Sequence, residues 1–457
     1  MSPHRRIDVV LASIKRLQRI GATPNLLNLL QKQHPADLAV VFNELPDRSR
    51  NAVFKVLVEQ NSRLAMEALS ELGPEFGASL LGDRSAEEVA ELLQVIPSDD
   101  AAGLIEHLPE ELSAPVLDLM QHREPGGVQN LLEYEEQTAG RIMNPNVFAV
   151  GEDLTAHEAI AALQQSRDVE MVFYLYAVDG HHHLVGVVSL RRLLLVSPET
   201  PLKRIMTTDL ISARVDTDQE DVAREVASYN LLAIPVVDEE NKLVGVITVD
   251  DVIDVIQEEA TEDINRLAGV TGDERVSTPA REALQKRLPW LVVNLVTAII
   301  PAAIVALFKD TINQVVAVAI FMPVVAGMGG NAATQTLTVI VRGIGLGELT
   351  WGNSKKALFK ETALGLGNGI TLGLIAAGVA WLMQGDSILG LILAMAMAIN
   401  MLVAAIAGTL IPIALRALKI DPALASSVFI TTLTDAAGIF AFLGLATFFL
   451  PYLDKVG

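Results

Sequence analysis

Long apolar stretches occupy the sequence from Leu288 onward, whereas residues 1–286 carry charges throughout. A helix needs about 20 mostly apolar residues to cross the hydrocarbon core of a bilayer. Five stretches meet that requirement, and we expect a transmembrane helix at each: Leu288 to Phe308, Val315 to Val341, Leu364 to Met383, Ile388 to Leu415 and Leu424 to Leu450. The sequence therefore predicts a multidomain protein in which α and α/β domains precede an all-α domain, 286–457, embedded in a lipid bilayer.

The basic residues between these stretches predict the orientation of the chain. If the first helix runs outward, one side of the membrane receives Lys286, Arg287, Arg342, Lys355, Lys356, Lys360, Arg416 and Lys419, and the other receives Lys309 and Lys455. The positive-inside rule then places residues 1–286 in the cytoplasm and the C-terminus outside the cell membrane. The N-terminus lacks the apolar core and cleavage site of a secretory signal. Five spans give one chain no internal two-fold symmetry, so we expect a homodimer.

The net charge is −21, and slightly more than all of it lies before Arg287, because the apolar part has a small basic excess. Nucleic acid and anionic lipid require basic patches, so the charge argues against both and favours cationic partners. Solubility alone would explain the charge equally well. The chain has no cysteine, which excludes disulfides, thiolate zinc sites and cysteine nucleophiles.

Residues 1–138 predict a domain of repeated short helices. Apolar residues recur at helical spacing, and acidic turns such as Ser85 to Val89 and Pro97 to Asp100 interrupt them. Ser85 and Glu88 have the spacing of a capping box. An acid such as Asp99 or Asp100 could either cap a helix or bind a cation, and the sequence leaves both roles open.

Residues 139–200 and 201–256 contain an internal repeat. Ile142 to Pro145 recurs as Ile205 to Thr208, and Leu184 to Leu193 recurs as Leu243 to Val252. Each copy predicts a strand, a helix, two strands joined by a tight turn and a final helix. The pair resembles a tandem of CBS domains.

The CBS resemblance implies binding of an adenosine nucleotide such as ATP. In these domains an aspartate after the Ser/Thr of the last strand commonly holds the ribose hydroxyls. Asp251 matches that position in the second copy, whereas the first copy has Arg192 there. The resemblance therefore supports nucleotide binding at one of the two sites, with Tyr174 and Arg191 as further candidates.

We predict a connecting helix over 257–285 that leads into the first span. The acidic residues of this segment begin before it, at Asp250. Asp251, Asp254, Glu258 and Glu262 follow one another at i+3, i+4 and i+4, which aligns like charges on one helix face. Such a face needs either water or cations. Its position next to a membrane domain favours a cation-sensing surface.

Polar residues inside the spans are candidates for function, because a carboxylate at the centre of a membrane helix costs about 2.5–3.5 kcal/mol. Asp435 is the clearest, and Thr431 precedes it by one turn. In the second span, Pro323 to Asn331 is rich in glycine. We expect this segment to interrupt the helix and to expose carbonyl oxygens, which are hard ligands.

Three motifs of the membrane domain resemble the MgtE magnesium transporter family. They are Pro-x-x-x-Gly-x-Gly-Gly-Asn-x-x-x-Gln from Pro323 to Gln335, Asp421-Pro422-Ala423, and Thr-Leu-Thr-Asp-x-x-Gly from Thr432 to Gly438. The order of domains matches that family along essentially the whole chain. The resemblance implies a homodimeric Mg²⁺ importer and not an enzyme, with a helical N-domain, a CBS pair, a connecting "plug" helix and five spans.

The MgtE resemblance also implies roles for individual residues. Asp435 would hold hydrated Mg²⁺ in the pore, with Asn331 and Thr431 beside it. Cytoplasmic Mg²⁺ would close the pore by binding Asp99, Asp100, Asp218, Glu220, Asp250, Asp251, Asp254, Glu259, Glu262, Asp263 and Asp421. Two alternatives stay open: a transporter of Mn²⁺ or Co²⁺, because hard oxygen sites do not separate these ions by sequence, and a membrane-anchored CBS sensor of cellular energy.

Overall fold

The structure, a computed structural model, describes residues 3–123, 127–166, 172–270, 274, 278, 280–424 and 427–453. The chain divides into two compact units, Met1–Ile256 and Gln257–Gly457. They are described one at a time.

Short helices form the first part of the N-terminal unit. The structure places them at α1 Pro3–Arg19, α2 Thr23–Leu30, α3 Pro35–Glu44, α4 Asp47–Gln60, α5 Ser62–Ser70, α6 Pro74–Leu81, α7 Ala86–Leu93, α8 Ser98–Glu106, α9 Glu110–Arg123 and α10 Val128–Glu133. Proline begins α3 and α6, where its missing N–H costs no hydrogen bond. The Ser85 hydroxyl accepts a hydrogen bond of 3.3 Å from the Glu88 N–H and caps α7. The predicted helical N-domain is confirmed.

One hydrophobic core runs from these helices into the second repeat. Phe42 and Phe54 meet edge to face at the centre of the helical part, with ring centroids 6.0 Å apart. The same cluster continues through Met143 to Val222 and Ile247. The helical domain and the second repeat therefore stabilise each other through shared apolar burial.

Each repeat folds as the sequence predicts. The first contains α11 Ala139–Ile142, β1 Ala149–Gly151, α12 Ala156–Gln165, β2 Tyr174–Val178, β3 Leu184–Ser189 and α13 Leu190–Leu195. The second contains β4 Ala213–Arg214, α14 Gln219–Tyr229, β5 Ala233–Val237, β6 Leu243–Thr248 and α15 Val249–Leu267. Both sheets have the same order, with the first strand parallel to the middle strand and the last strand antiparallel to it.

The two repeats exchange their leading segments. Asn144, which precedes the first sheet, forms two backbone hydrogen bonds of 2.8 and 2.9 Å with Val246 of β6. A Cβ on Gly245 would lie 2.6 Å from the Met143 sulfur, and one on Gly186 would lie 2.5 Å from the Met206 sulfur. Each Ile-Met motif therefore packs on the glycine of the other repeat.

The C-terminal unit is helical. It contains the end of α15, then α16 Ala280–Leu307, α17 Lys309–Gln314, α18 Ala317–Gly345, α19 Ser354–Gln384, α20 Ser387–Ala417 and α21 Ser427–Phe448. Within the described residues, five helices are long and apolar enough to cross a membrane, and each overlaps one predicted span. The helix predicted over 257–285 differs in extent, because α15 begins at Val249, directly after β6, and ends at Leu267.

Helix α18 is continuous, so the predicted interruption at Pro323 to Asn331 is wrong. Pro323 removes only the hydrogen bond that its N–H would donate to the Ala319 carbonyl, and the helix continues on both sides of it. The Asn400 amide nitrogen of α20 donates to the Val325 carbonyl at 2.8 Å. Glycines serve close helix packing here, and Gly329 and Gly330 are buried against α20 and α21.

Helices α19 and α20 form a tight hairpin. Gly365, Gly369 and Gly373 lie one turn apart on α19, and a Cβ on any of them would come within 3 Å of α20. Small residues spaced in this way let membrane helices approach closely, which increases van der Waals contact where no hydrophobic force operates.

Candidate ion pathway and regulatory acid clusters

One face of α18 is polar and exposed within a membrane-spanning helix. Its polar or small exposed residues recur at helical spacing and are Gly327, Asn331, Thr334, Gln335 and Thr338, while Ile320, Pro323, Val324 and Val339 of α18 are exposed as well. The Thr334 and Thr338 hydroxyls donate to carbonyls of their own helix at 3.0 and 2.9 Å. In the described part of the chain, no hydrogen bond reaches the side-chain amides of Asn331 and Gln335. Polar side chains at membrane depth face protein or a water-filled cavity, so this face is a candidate lining of a pathway.

Helix α21, which packs on α18, carries Asp435. Asp435 is partly exposed. Among the residues that the structure describes, its carboxylate has neither an ion pair nor a hydrogen bond. Thr431 packs against α18, because its methyl group lies 3.2 Å from the position of a Cβ on Gly330. The structure thus places Thr431 next to the residue that precedes Asn331, on two helices that pack together. A cation in this pathway would find carboxylate, amide and hydroxyl oxygens, the ligand class of Mg²⁺.

Sequence reasoning missed Asn400 of α20. Its side chain is 1% exposed and contacts both pathway helices, since Cβ atoms on Gly329 of α18 and Gly438 of α21 would lie 2.1 and 2.4 Å from its amide nitrogen. The signal was available, because Asn400 is the single carboxamide in the predicted span Ile388 to Leu415. Gln335 was also missed, although it ends the first membrane motif.

The first acid cluster lies in the N-terminal unit and consists of Asp99, Asp100, Asp250, Asp251 and Asp254. Burial, with Asp251 and Asp100 nearby, raises the pKa of Asp99 well above its ordinary value. Burial also raises the pKa of Asp251 to about 6 and, with Asp250 adding to it, that of Asp254. Asp99 Oδ1 is buried without a hydrogen-bond partner in the described residues. A buried acceptor without a donor, among like charges, suits a hydrated cation.

The second acid cluster lies in the C-terminal unit and consists of Glu259, Glu262, Asp263 and Asp421. Burial, followed by the charges of Asp421 and Glu259, raises the pKa of Asp263 to about 6. Arg266, which sequence reasoning did not single out, forms ion pairs with Glu262 and Asp421. Asp421 also accepts a hydrogen bond of 2.8 Å from the Ala423 N–H. The positive charge within this cluster is therefore the guanidinium of Arg266.

Asp218 and Glu220 have local partners. Asp218 caps α14 by accepting from the Glu220 N–H at 2.8 Å, and the Glu220 carboxylate pairs with Arg224 at 3.0 Å. Capping and surface ion pairing account for both acids without a metal.

Among the residues that the structure describes, no group of three or more His, Cys, Asp or Glu is gathered closely enough to hold a metal ion.

The three nucleotide candidates occupy different elements of the repeats. The Tyr174 hydroxyl of β2 accepts from the Leu232 N–H of the second repeat at 3.5 Å, and Arg191 is exposed on α13. Asp251 accepts from the N–H and hydroxyl of Thr248 at 3.2 and 2.6 Å. Its carboxylate therefore caps α15, and a ribose would have to share it.

Family models match three parts of the chain. Residues 322–445 match MgtE, described as a divalent cation transporter, and residues 33–137 match the MgtE intracellular N domain. The two repeats match CBS domains over residues 139–199 and 202–258.

Similar proteins and structures cover the same regions. A magnesium transporter MgtE of Bacillus subtilis strain 168 is 39% identical over 72% of this chain and 73% of its own length. The MgtE of Thermus thermophilus is 37% identical over 71% of this chain and 72% of its own. The cytosolic domain of an Mg²⁺ channel MgtE, crystallised with ATP, superposes with a TM-score of 0.51 at 36% identity, covering 54% of this chain and 99% of that one.

The matched regions coincide with the elements described above: the helical domain, the two repeats and the helices that carry Asn331 and Asp435. A family of transporters uses spans for passage rather than for anchorage, so the sensor alternative is set aside, and the family is not one of enzymes. With identity of this level over more than two thirds of both sequences, the chain belongs to the MgtE family of divalent cation transporters.

Proposed function

We propose that the protein imports Mg²⁺ across the cell membrane as a homodimer and that cytoplasmic Mg²⁺ closes it. The observation that carries the proposal is Asp435, a partly exposed carboxylate within a membrane helix that has no partner among the described residues. Such a group is costly in lipid and useful in a cation pathway. Relatives named magnesium transporters support Mg²⁺ as the ion.

A second copy of the chain would complete the pathway. The polar face of α18 and the carboxylate of Asp435 need water or protein in front of them. A two-fold axis facing this surface would enclose a water-filled path between two copies of α18 and α21. Helix α16 supports dimerisation as well, because none of its described residues is buried within one chain.

The chemistry of the lining suits a hydrated ion. Mg²⁺ gives up its waters reluctantly and is usually held by one or two carboxylates. One Asp435 from each protomer would supply two, while Asn331, Gln335 and Thr431 would accept from or donate to the water shell. The negative charge of the carboxylates would attract cations and repel anions.

The test of the pathway is Mg²⁺ uptake into liposomes containing the purified full chain. Asp435→Ala should abolish uptake while dimerisation and thermal stability stay as in the wild type. Asp386→Asn is the matched control, because Asp386 is a buried acid of the same domain that caps α20 through the N–H groups of Ile388 and Leu389 at 2.7 and 3.2 Å. Asn also caps helices well. Wild-type uptake by Asp435→Ala would refute the pathway, and a panel with Mn²⁺ and Co²⁺ defines the ion.

Closure by Mg²⁺ is proposed to act through the two acid clusters. The raised pKa values of Asp99, Asp251 and Asp263 indicate that these carboxylates are costly to ionise where they lie. A bound cation relieves that cost and so favours whichever conformation brings the acids together. Helix α15 carries acids of both clusters, and the chain continues from it to the first span. Cation binding at either cluster would therefore act on the same helix.

The test of closure is a triple neutral variant, Asp254→Asn with Glu259→Gln and Glu262→Gln. The variant loses Mg²⁺ ligands and also loses repulsion between carboxylates. The loss of ligands should dominate, because in this proposal bound Mg²⁺ drives closure. Uptake should become nearly independent of Mg²⁺ on the side carrying residues 1–256, which protease accessibility identifies and which we propose is cytoplasmic, with the C-terminus outside. A wild-type inhibition curve would show that the acids are only a solvated face.

We further propose that the second repeat binds ATP or a related adenosine nucleotide. The crystallised relative in complex with ATP supports this, as does Asp251 at the position that CBS domains use for ribose. A bound nucleotide would compete with the Thr248 N–H and hydroxyl for the Asp251 carboxylate. It would therefore change the hydrogen bonds at the first turn of α15.

A further inference from the structure

Asn400 is buried between the two helices proposed to line the pathway. It lies near the middle of α20 and is 1% exposed. Its amide nitrogen donates to the Val325 carbonyl of α18 at 2.8 Å. Since only the nitrogen of the carboxamide can donate, this bond fixes the orientation of the group. Within the described residues, the amide oxygen is left buried without a hydrogen-bond partner.

Two glycines make room for this carboxamide. Cβ atoms on Gly329 of α18 and on Gly438 of α21 would lie 2.1 and 2.4 Å from its nitrogen, so neither position accepts a larger residue unless Asn400 moves. Gly438 follows Asp435 by three residues, which places both near one face of α21, and Gly329 precedes Asn331 by two. The carboxamide thus separates the two backbones at the positions that carry the candidate pore residues.

Simple space filling does not explain an asparagine here. A leucine of similar volume would occupy the site with no polar atom to satisfy, and a membrane interior favours apolar packing between helices. The hydrogen bond to Val325 instead holds one carbonyl of α18, in the turn after Pro323, at a defined distance from α20. The result is a fixed spacing of three helices, set by one polar group.

We propose that Asn400 is a positioning residue that sets the spacing of α18 and α21 and thereby the ion preference of the pathway. The inference rests on the proposed function in that α18 and α21 line the path. Asn400 has almost no exposed surface, so it acts through Asn331 and Asp435 and not by touching the ion. A change of spacing alters how well these groups fit the water shell of one ion compared with another.

The test compares Asn400→Leu with Thr409→Val in liposomes. Thr409 is the matched control, because it is fully buried on the same helix and its hydroxyl donates to Ala405 of that helix at 2.8 Å. The readouts are the ratio of Co²⁺ to Mg²⁺ uptake and the KM and maximal rate for Mg²⁺. Asn400→Leu should change the ratio and the KM by about threefold, the effect of one lost hydrogen bond between membrane helices. Thr409→Val should leave both unchanged.

A double variant makes the geometry itself testable. Gly329→Ala should change the ion ratio as Asn400→Leu does, because the new methyl group displaces the carboxamide. In an Asn400→Ala background Gly329→Ala should have little further effect, because the carboxamide that the methyl group displaces is already absent, so the double variant should match Asn400→Ala alone. Simple addition of the two effects would overturn the assignment. If Asn400→Leu does not fold, Asn400→Ser, which is smaller and too short to reach Val325, replaces it.

The remaining outcomes separate this inference from the proposed function. Wild-type ratio and KM in the Asn400 variant, or equal changes in the Thr409 variant, overturn the positioning role. Loss of uptake in Asp435→Ala together with an unchanged ion ratio in Asn400→Leu overturns the inference alone. Wild-type uptake by Asp435→Ala overturns the proposed pathway and the inference with it.

Discussion

Protons should compete with Mg²⁺ for the second acid cluster, and Asp263 is the residue that shows it. Burial, with Asp421 and Glu259 nearby, raises the pKa of Asp263 from 3.8 to about 6. A raised carboxyl pKa means that the folded protein binds the proton more tightly than a free carboxyl does. Its contribution to stability is therefore largest at low pH and is lost as the pH rises through about 6. Mg²⁺ requires the ionised form and must displace that proton.

The size of the effect follows from the fraction that is protonated. A single competing proton with a pKa of about 6 weakens metal binding by a factor of about 1.1 at pH 7, about 2 at pH 6 and about 11 at pH 5. An exposed carboxyl at its ordinary pKa of 3.8 would give a factor of only about 1.1 at pH 5. The Mg²⁺ concentration that half-inhibits uptake should therefore rise about tenfold between pH 7 and pH 5.

The assay measures half-inhibiting Mg²⁺ in liposomes at pH 7, 6 and 5, which separates sensing from any effect of pH on the transport rate. Asp263→Asn should weaken inhibition at pH 7, because a ligand is lost, and should show a smaller pH dependence than the wild type. Glu87→Gln is the control: Glu87 is exposed, and hydrogen bonds from its own backbone and from Ser85 lower its pKa. A wild-type half-inhibiting concentration that changes less than twofold over this range would refute the reasoning.

Two other predictions concern the helix hairpin and the nucleotide. Gly369→Val should lower the thermal unfolding temperature of the full chain by several degrees, because a Cβ there would lie 2.7 Å from the Ala398 Cα and a backbone cannot yield; Gly367→Val, with nothing within 4 Å, should leave it unchanged, and equal melting of the two would contradict the contact. Asp251→Asn should weaken ATP binding about tenfold in calorimetry of the full chain, the loss expected for a hydrogen bond to a charged group, whereas unchanged affinity would exclude Asp251 from the nucleotide site.

The sequence by itself determined the features that depend on nearby residues or on length. The five spans follow from apolar stretches of sufficient length, because a backbone in lipid has to satisfy its own hydrogen bonds as a helix. The repeats follow from matching segments such as Leu184 to Leu193 and Leu243 to Val252. Asp435 was found because a charge in an apolar stretch is visible without coordinates.

Tertiary structure alone decided which distant residues meet. Met143 packs on Gly245 and Met206 on Gly186, so the repeats interlock, although each motif reads as a local unit in the sequence. Arg266 was passed over as one more charge on α15, because its partner Asp421 is 155 residues away. Periodicity reports which face of an element is apolar and carries no information about what that face contacts.

The second span shows the same limit within the membrane. Proline and several glycines in sequence favour an interrupted helix by local rules. The structure keeps α18 helical, because Pro323 removes a single backbone hydrogen bond and Gly329 and Gly330 let α20 and α21 pack closely on the helix. Local propensities of a few kcal/mol or less are outweighed when helices from elsewhere in the chain pack on the same turns.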